Sequence, residues 1–386
     1  MALHFSRDEF AARTMAARHA LRDAGLDALL IFGQENHYYL TGFDTSGYVF
    51  FQCAVLTADD QPITLLTRLP DYEQAKRTSV IEDIRLWYDA EGVNPANDLK
   101  DILAEKGLAG GRVGIELNTY GLTPANYLKV AGALDGWCNL VDGSGVIQAL
   151  RIVKSAAEQD YVRRAATIAD ASLEAMIEAA GPGVFEGEIN AAGIAAILRS
   201  GGDLAASGPV FGSGDRALLV RASTGYANLG DVDQLTMEFG ACFRRYHACH
   251  MRTIAIGEGN DRQCHMFEAT RDAMAAMTEA VAPGRPLGEI DDAHRRVFDD
   301  AGYKDARMAA CGYSIGATYR PSWMDVPPML YSGNPLPAAP GMVLFLHAIL
   351  ADAEHNLAMS LGHTLIVTET GADVLTGLEH EYTVCR

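Results

Sequence analysis

The densest set of chemistry-bearing side chains is DQLTMEFGACFRRYHACHMRTIAIG, residues 233–257. Read as a strand, LTMEFG turns Met237 and Phe239 one way and Glu238 the other. HMRTIAIG supplies its mate, so Arg245, Tyr246 and His247 occupy or adjoin the connection, a place where a scaffold often displays functional side chains. A structural ion pair of Glu238 with Arg245 or Arg252 is the plain alternative. A second cluster, GYSIGATYRPSWMD at 312–325, offers two glycines for close backbone approach, with Tyr313, Arg320 and Trp323 as an amphipathic wall. In a third, MVLFLHAILADAEHN at 342–356, His347 interrupts an apolar run. A buried imidazole needs hydrogen-bond partners, and a catalytic one needs a titratable partner such as Glu238. A satisfied core histidine is the competing account of His347, and of His363.

Zinc chemistry is testable on the same residues. His247, Cys249, His250, Cys264 and His265 are suitable ligand types, but adjacent residues diverge on a strand and Cys264 with His265 would open a helix. The regular spacing of structural zinc sites is missing. No serine nucleophile elbow, phosphate loop or dinucleotide fingerprint occurs, and GSGD at 212–215 is too short for a phosphate cradle.

The elements that must position these groups fall into two textures. Ser6 and Glu9 form a capping box ahead of a helix that runs to Gly25; ALLIFG at 28–33 and YVFFQCAVLT at 48–57 read as strands; DLKDILAEKG at 98–107 reads as a helix before a strand at 112–116. This alternation predicts an α/β domain over 1–150. From 151 to 386 the pattern changes to long amphipathic helices, PG turns and strands. Glu178, Ala179, Pro182, Gly183, Gly187, Glu188 and Ile189 recur as Glu279, Ala280, Pro283, Gly284, Gly288, Glu289 and Ile290, a constant offset that marks a duplicated unit. Strands from both copies would surround one cleft, the usual setting of a small-molecule site. The stripe containing Met274 and Met277 reads as core filling.

The whole chain of 386 residues carries 31 Lys plus Arg against 50 Asp plus Glu, a net charge of −19, which opposes nucleic-acid binding. Seven cysteines without a C-x-x-C pair fit reduced thiols of a cytoplasmic enzyme. Neither a signal-like start nor an apolar run of membrane-spanning length is present, so a soluble protein without a membrane partner is expected.

The chain resembles creatinase and the Xaa-Pro peptidase/methionine aminopeptidase family of pita-bread fold, and within it the creatinase and ectoine hydrolase branch. The matching motifs are NHYYLTGF at 36–43, RIVKSAAE at 151–158, MEFG at 237–240, RT at 252–253, GYSIG at 312–316, PGMV at 340–343 and TLIVTETG at 364–371. The resemblance implies an α+β fold in which a creatinase-type N-terminal α/β domain precedes a pita-bread domain of pseudo-twofold design. In the family's peptidases two Asp, one His and two Glu hold two divalent ions. Those places fall here on Glu238, Cys249, Tyr313, His347 and Gly362, and the peptidase histidines fall near Arg221 and Arg320. One carboxylate cannot bridge two cations about 3.5–4 Å apart.

The expectation that follows is a metal-independent, cofactor-free hydrolase of a non-peptide C–N bond in a small zwitterionic amidine, guanidine or amide. Glu238 would orient an amidinium, and His347 or His247 would activate water and protonate the departing nitrogen. Arg245, Arg252 or Arg320 would fork onto a substrate carboxylate, while Tyr313 and Trp323 close the pocket. The family also implies a homodimer in which His37, Asp44, Tyr48 and Gln52 act as lid or partner-subunit contacts. Two alternatives stand beside this. One is an Xaa-Pro dipeptidase-like or lyase enzyme with an atypical metal site drawn from His247, His250, His347 or Cys249; the other is a small-molecule-binding protein without turnover.

Overall fold

The computed structural model describes residues 3–386, which separate into two compact units that divide between Arg151 and Ile152. In the first unit, strands β1 (Ala28–Ile31), β2 (Cys53–Thr57), β3 (Thr64–Arg68), β4 (Asp83–Trp87), β5 (Arg112–Ile115) and β6 (Asn139–Asp142) make a mixed sheet in the order β4-β3-β2-β1-β5-β6. Helices α1 (Arg7–Asp23), α2 (Gln34–Thr41), α3 (Leu69–Thr78), α4 (Pro95–Glu105), α5 (Pro124–Leu134) and α6 (Gly145–Arg151) accompany it. The Ser6 hydroxyl accepts from the Glu9 amide at 3.1 Å and starts α1; every residue of β1 is buried, as its unbroken apolar run requires.

One expected strand starts late. A 3-10 turn at Gly47–Val49 overlaps the start of residues 48–57, and pairing begins only at Cys53. Local polar chemistry overrides β propensity here: the Thr45 hydroxyl donates to Asp71 Oδ1 at 2.6 Å and accepts from the Gly47 amide at 2.9 Å. Gly47 is required, since a Cβ would lie 2.2 Å from Asp71 Oδ1.

Just past β5, buried Glu116 accepts from the amides of Phe32 (2.9 Å) and Gly33 (2.7 Å) and from Asn36 Nδ2 (2.6 Å). Arg151 Nη1 donates to Asn36 Oδ1 at 2.9 Å, which fixes the amide's orientation. Burial pushes the Glu116 pKa up to about 7 against these donors. Glu116→Gln sets an NH2 group against the Asn36 donor and is expected to destabilise this unit by about 1–3 kcal/mol, read by chemical denaturation; an unchanged midpoint would refute the role.

In the second unit, α7 (Ala156–Ala179) and α8 (Glu186–Arg199) belong to the first copy, and α9 (Asp261–Ala280) and α10 (Gly288–Asp300) to the second. The strands are β7 (Asp203–Leu204), β8 (Val210–Ser213), β9 (Asp233–Phe243), β10 (Tyr246–Ile256), β11 (Gly312–Ile315), β12 (Met324–Leu330), β13 (Val343–Asp352), β14 (Leu357–Val367), β15 (Ala372–Val374) and β16 (Val384–Cys385). The sheet runs β12-β11-β13-β14-β10-β9-β7, with β15 on β14, β16 on β10 and β8 on β9. α7 opens with a full capping box, Ser155 with Glu158.

Each copy has its own apolar core. Ile168, Leu173, Met176 and Ile197 pack on Met237 and Phe239, while Met266, Met274, Met277 and Phe298 pack on Leu344, Leu346 and Leu361. Full burial of each such side chain contributes roughly 1.5–3 kcal/mol, so the Met stripe is structural. No helix among the described residues is long and apolar enough to cross a membrane.

Candidate active site

Directly paired residues of adjacent strands share a sheet face. Glu238 pairs with Met251, Met251 with Gly362, and Gly362 with His347, so one row crosses β9, β10, β14 and β13. Cys249 lies two residues before Met251 on β10, and Tyr313 pairs with Phe345, two residues before His347. Glu238, Cys249, Tyr313, His347 and Gly362 therefore share one face.

The floor between Glu238 and His347 is filled by aromatic rings. The Tyr313 hydroxyl donates to Glu238 Oε1 at 3.0 Å and accepts from Trp323 Nε1 at 2.8 Å. Phe345 lies against both Tyr313 and His347, with centroids 5.5 and 5.7 Å away. Its ring also covers Gly362, where a Cβ would stand 2.7 Å from Phe345 Cζ. Tyr313 and Trp323, expected to close the pocket, instead form a donor relay that fixes the carboxylate.

Burial raises the Glu238 pKa, while the Tyr313 hydrogen bond and the field of Arg221 oppose the rise. Burial and the Glu238 charge push the Cys249 thiol well up, so it stays protonated. His347 is lowered to about 4 by burial and by His294, against the attraction of Asp291. It is a neutral imidazole at physiological pH, and its Nδ1 has no hydrogen-bond partner.

Other expected site residues lie elsewhere. His247 shares the Glu238 face but sits four residues from Met251, roughly 13 Å along the ribbon. Its Nε2 accepts from the Ala206 amide at 3.0 Å, so the proton is on Nδ1, which faces Gly316 O and Thr318 Oγ1, both at 3.2 Å. With both nitrogens engaged and burial lowering its pKa to about 4, His247 ties backbone segments together. Arg245 is at the tip of the β9–β10 hairpin, its guanidinium 5.0 Å from the Tyr319 ring centroid and roughly 20 Å along the ribbon from Glu238. Arg252 pairs with Met237 and Leu361 and so points to the opposite face, where it cannot share a ligand with Glu238. Exposed Arg320 borders a cavity of about 150 Å³ with Gly240, Ala205 and Ser207.

In the N-terminal unit, Gln52 donates to Gln34 Oε1 at 3.0 Å and accepts from Thr67 at 3.3 Å, and the His37 ring stands edge-on to Phe43 at 6.0 Å. Both side chains are buried rather than displayed as a lid. Tyr48 is buried too; Asp44 is half-buried, and its carbonyl accepts from Gln74 at 2.7 Å.

Sequence reasoning missed Phe345 as part of the site, and it set Arg221 near a family histidine without seeing that its field acts on Glu238. The signal for Phe345 was its place two residues before His347, on the same strand face. The donor set does not fit a two-metal centre: one position is glycine, and the phenol at another is committed to Glu238. Among the described residues, no group of three or more His, Cys, Asp or Glu is disposed to hold a metal ion.

Residues 160–369 match metallopeptidase family M24, and residues 13–153 match the creatinase/prolidase N-terminal domain. An ectoine hydrolase of Halomonas elongata is 25% identical, with 97% of each chain covered. A Xaa-Pro dipeptidase of Pyrococcus furiosus is 24% identical over 92% of this chain and 95% of its own. Among solved structures, prolidase from Thermococcus sibiricus superposes with a TM-score of 0.88 at 20% identity, covering 98% of this chain and 100% of its own. Xaa-Pro dipeptidase from Bacillus anthracis gives 0.85 at 22%, covering 97% and 99%. The order of strands, the duplicated helices and these matches lead to one assignment: the chain belongs to metallopeptidase family M24, a hydrolase family, with a creatinase-type N-terminal domain and a pita-bread C-terminal domain.

Proposed function

We propose that the protein is a metal-independent hydrolase of a non-peptide C–N bond in a small zwitterionic amidine, guanidine or amide. The observation that carries this reading is the Trp323–Tyr313–Glu238 relay, with Phe345 packed over Gly362 where the family's peptidases place a carboxylate. A single fixed carboxylate suits a substrate cation better than a pair of metal ions. The ionised Glu238 binds and orients the amidinium and keeps it protonated, and so electrophilic, while water adds to its carbon. His347, a neutral imidazole, takes a proton from the attacking water and returns it to the departing nitrogen. Arg320, exposed at the rim of a cavity of about 150 Å³, is the arginine to which the proposal gives a substrate carboxylate. Likeness to ectoine hydrolase supports the substrate class. The proposal includes a cytoplasmic homodimer without a resident cofactor.

The test is a mass-spectrometric screen of chelator-treated protein against ectoine, creatine, cyclic amidines and Xaa-Pro dipeptides, with metal content measured on the same sample. Addition of one water to a non-peptide substrate, indifferent to chelator, is the expected result. Cleavage of Xaa-Pro dipeptides that disappears with chelation would sink the proposal and favour the chemistry named for the Pyrococcus relative. The expected kcat/KM rises with pH as Glu238 loses its proton above the ordinary carboxylate range. Above that it levels off, because His347, with a pKa of about 4, is already neutral.

A further inference from the structure

The helix-covered face of the C-terminal sheet holds polar groups that this reaction does not use. His250 precedes Met251 and His363 follows Gly362, so the two imidazoles are cross-strand neighbours on β10 and β14. They form a buried seam between the apolar cores of the two copies. Asp170 on α7 is committed to this seam: its Oδ1 lies 2.6 Å from His250 Nε2, and its Oδ2 accepts from the Gly377 amide at 2.8 Å. Arg252, 2% exposed, leaves its Nε without a hydrogen-bond partner. Burial lowers its pKa to about 10 despite Asp170 and Glu381.

The seam meets a cavity of about 610 Å³ lined by His363, His380, Thr278, Arg271 and Arg285, with Glu279 as its acid. The rings of His363 and His380 stack at 5.3 Å and 10°. Thr278 gives its own hydroxyl proton to Met274 O at 2.8 Å and so accepts from His363 Nε2 at 3.2 Å. The His363 Nδ1 is then an unprotonated acceptor. Two stacked imidazoles beside a buried guanidinium do not both protonate without a counter-charge: His363 is lowered to about 3 and His380 to about 4. Arg271 is partly committed to Asp272 at 3.1 Å, whereas Arg285 stands exposed at the mouth.

We propose that this cavity is a second ligand site, which takes a small oxyanion, a carboxylate or phosphate group, and binds protons on the His363–His380 pair as it does so. The anion supplies the missing counter-charge, receives hydrogen bonds from the newly protonated imidazole and pairs with Arg285. Because ligation raises the two imidazole pKa values, affinity increases as pH falls. This site lies across the sheet from Glu238 and stands independently of the reaction proposed above.

Calorimetric titration of the full chain with inorganic phosphate, and separately with citrate, tests it at about pH 6 and about pH 8; binding at least about tenfold tighter at the lower pH is expected, with proton uptake visible across buffers of different ionisation enthalpy. Phosphate binding alone identifies a phosphorylated ligand, citrate binding alone a carboxylate, and either supports the site. Arg285→Glu, an exposed change, is expected to weaken binding at least about tenfold, and His380→Ala to flatten the pH dependence. Glu238→Gln should leave this binding unchanged. Heat from neither anion at either pH, or binding indifferent to both Arg285→Glu and His380→Ala, overturns the proposal.

Discussion

Glu238→Gln is expected to lower kcat/KM for the proposed C–N substrate by about three orders of magnitude or more, with the melting temperature nearly unchanged. The amide oxygen can still accept from Tyr313, whose hydroxyl is 3.0 Å away, so the relay to Trp323 survives while the negative charge is lost. What disappears is the attraction for a substrate cation in a largely buried site, where a full charge is worth more than in open water. Tyr313→Phe separates charge from orientation: it leaves the carboxylate and removes its donor. A milder loss, about tenfold, is expected there. Near-normal turnover in Glu238→Gln would remove this residue from the chemistry, whatever the substrate proves to be.

The second large effect is on stability. Gly362→Glu, which would restore a carboxylate at a family ligand position, is expected to destabilise the C-terminal unit by about 3 kcal/mol or more. The new Cβ alone would stand 2.7 Å from Phe345 Cζ and 2.9 Å from Met251 Cβ, both within packed sheet. Adding Phe345→Ala should recover part of the loss, because the two changes meet in the same space. Denaturation midpoints of the single and double variants measure this directly. A well-folded single variant would show that the floor yields more readily than its packing implies.

Much of this architecture is legible in the sequence because it rests on local or periodic signals. Ser155 and Glu158 announce the start of a long helix, and the repeated PG and GEI segments announce the duplicated copy. Glu238 is legible as a polar break in an apolar strand. The partners of His247 are not: its tautomer is set by Ala206, 41 residues away, and by Gly316 and Thr318 at 69 and 71 residues. Nothing local to YHACH reports those bonds.

Arg252 fails for a different reason. Its face follows from the hairpin register, and the register from a two-residue turn at Arg244 and Arg245 with φ of 49° and 70°. Such a turn normally advertises itself with Asn or Gly. With two arginines there, the sequence offers no marker of where the ribbon folds back, and the parity that sends Arg252 away from Glu238 is hidden. Phe345 was likewise visible as an apolar residue, but only the depth of Gly362 beneath it explains why an aromatic ring fits.

The ring above Gly362 also bears on descent. A lineage with this packing cannot regain an acidic side chain at that position in one substitution without passing through a crowded and poorly folded form. The aromatic must shrink first, leaving a void in the meantime. Both routes run uphill, so an M24 chain that pairs a glycine here with an overlying aromatic ring changes that position only through a less stable intermediate.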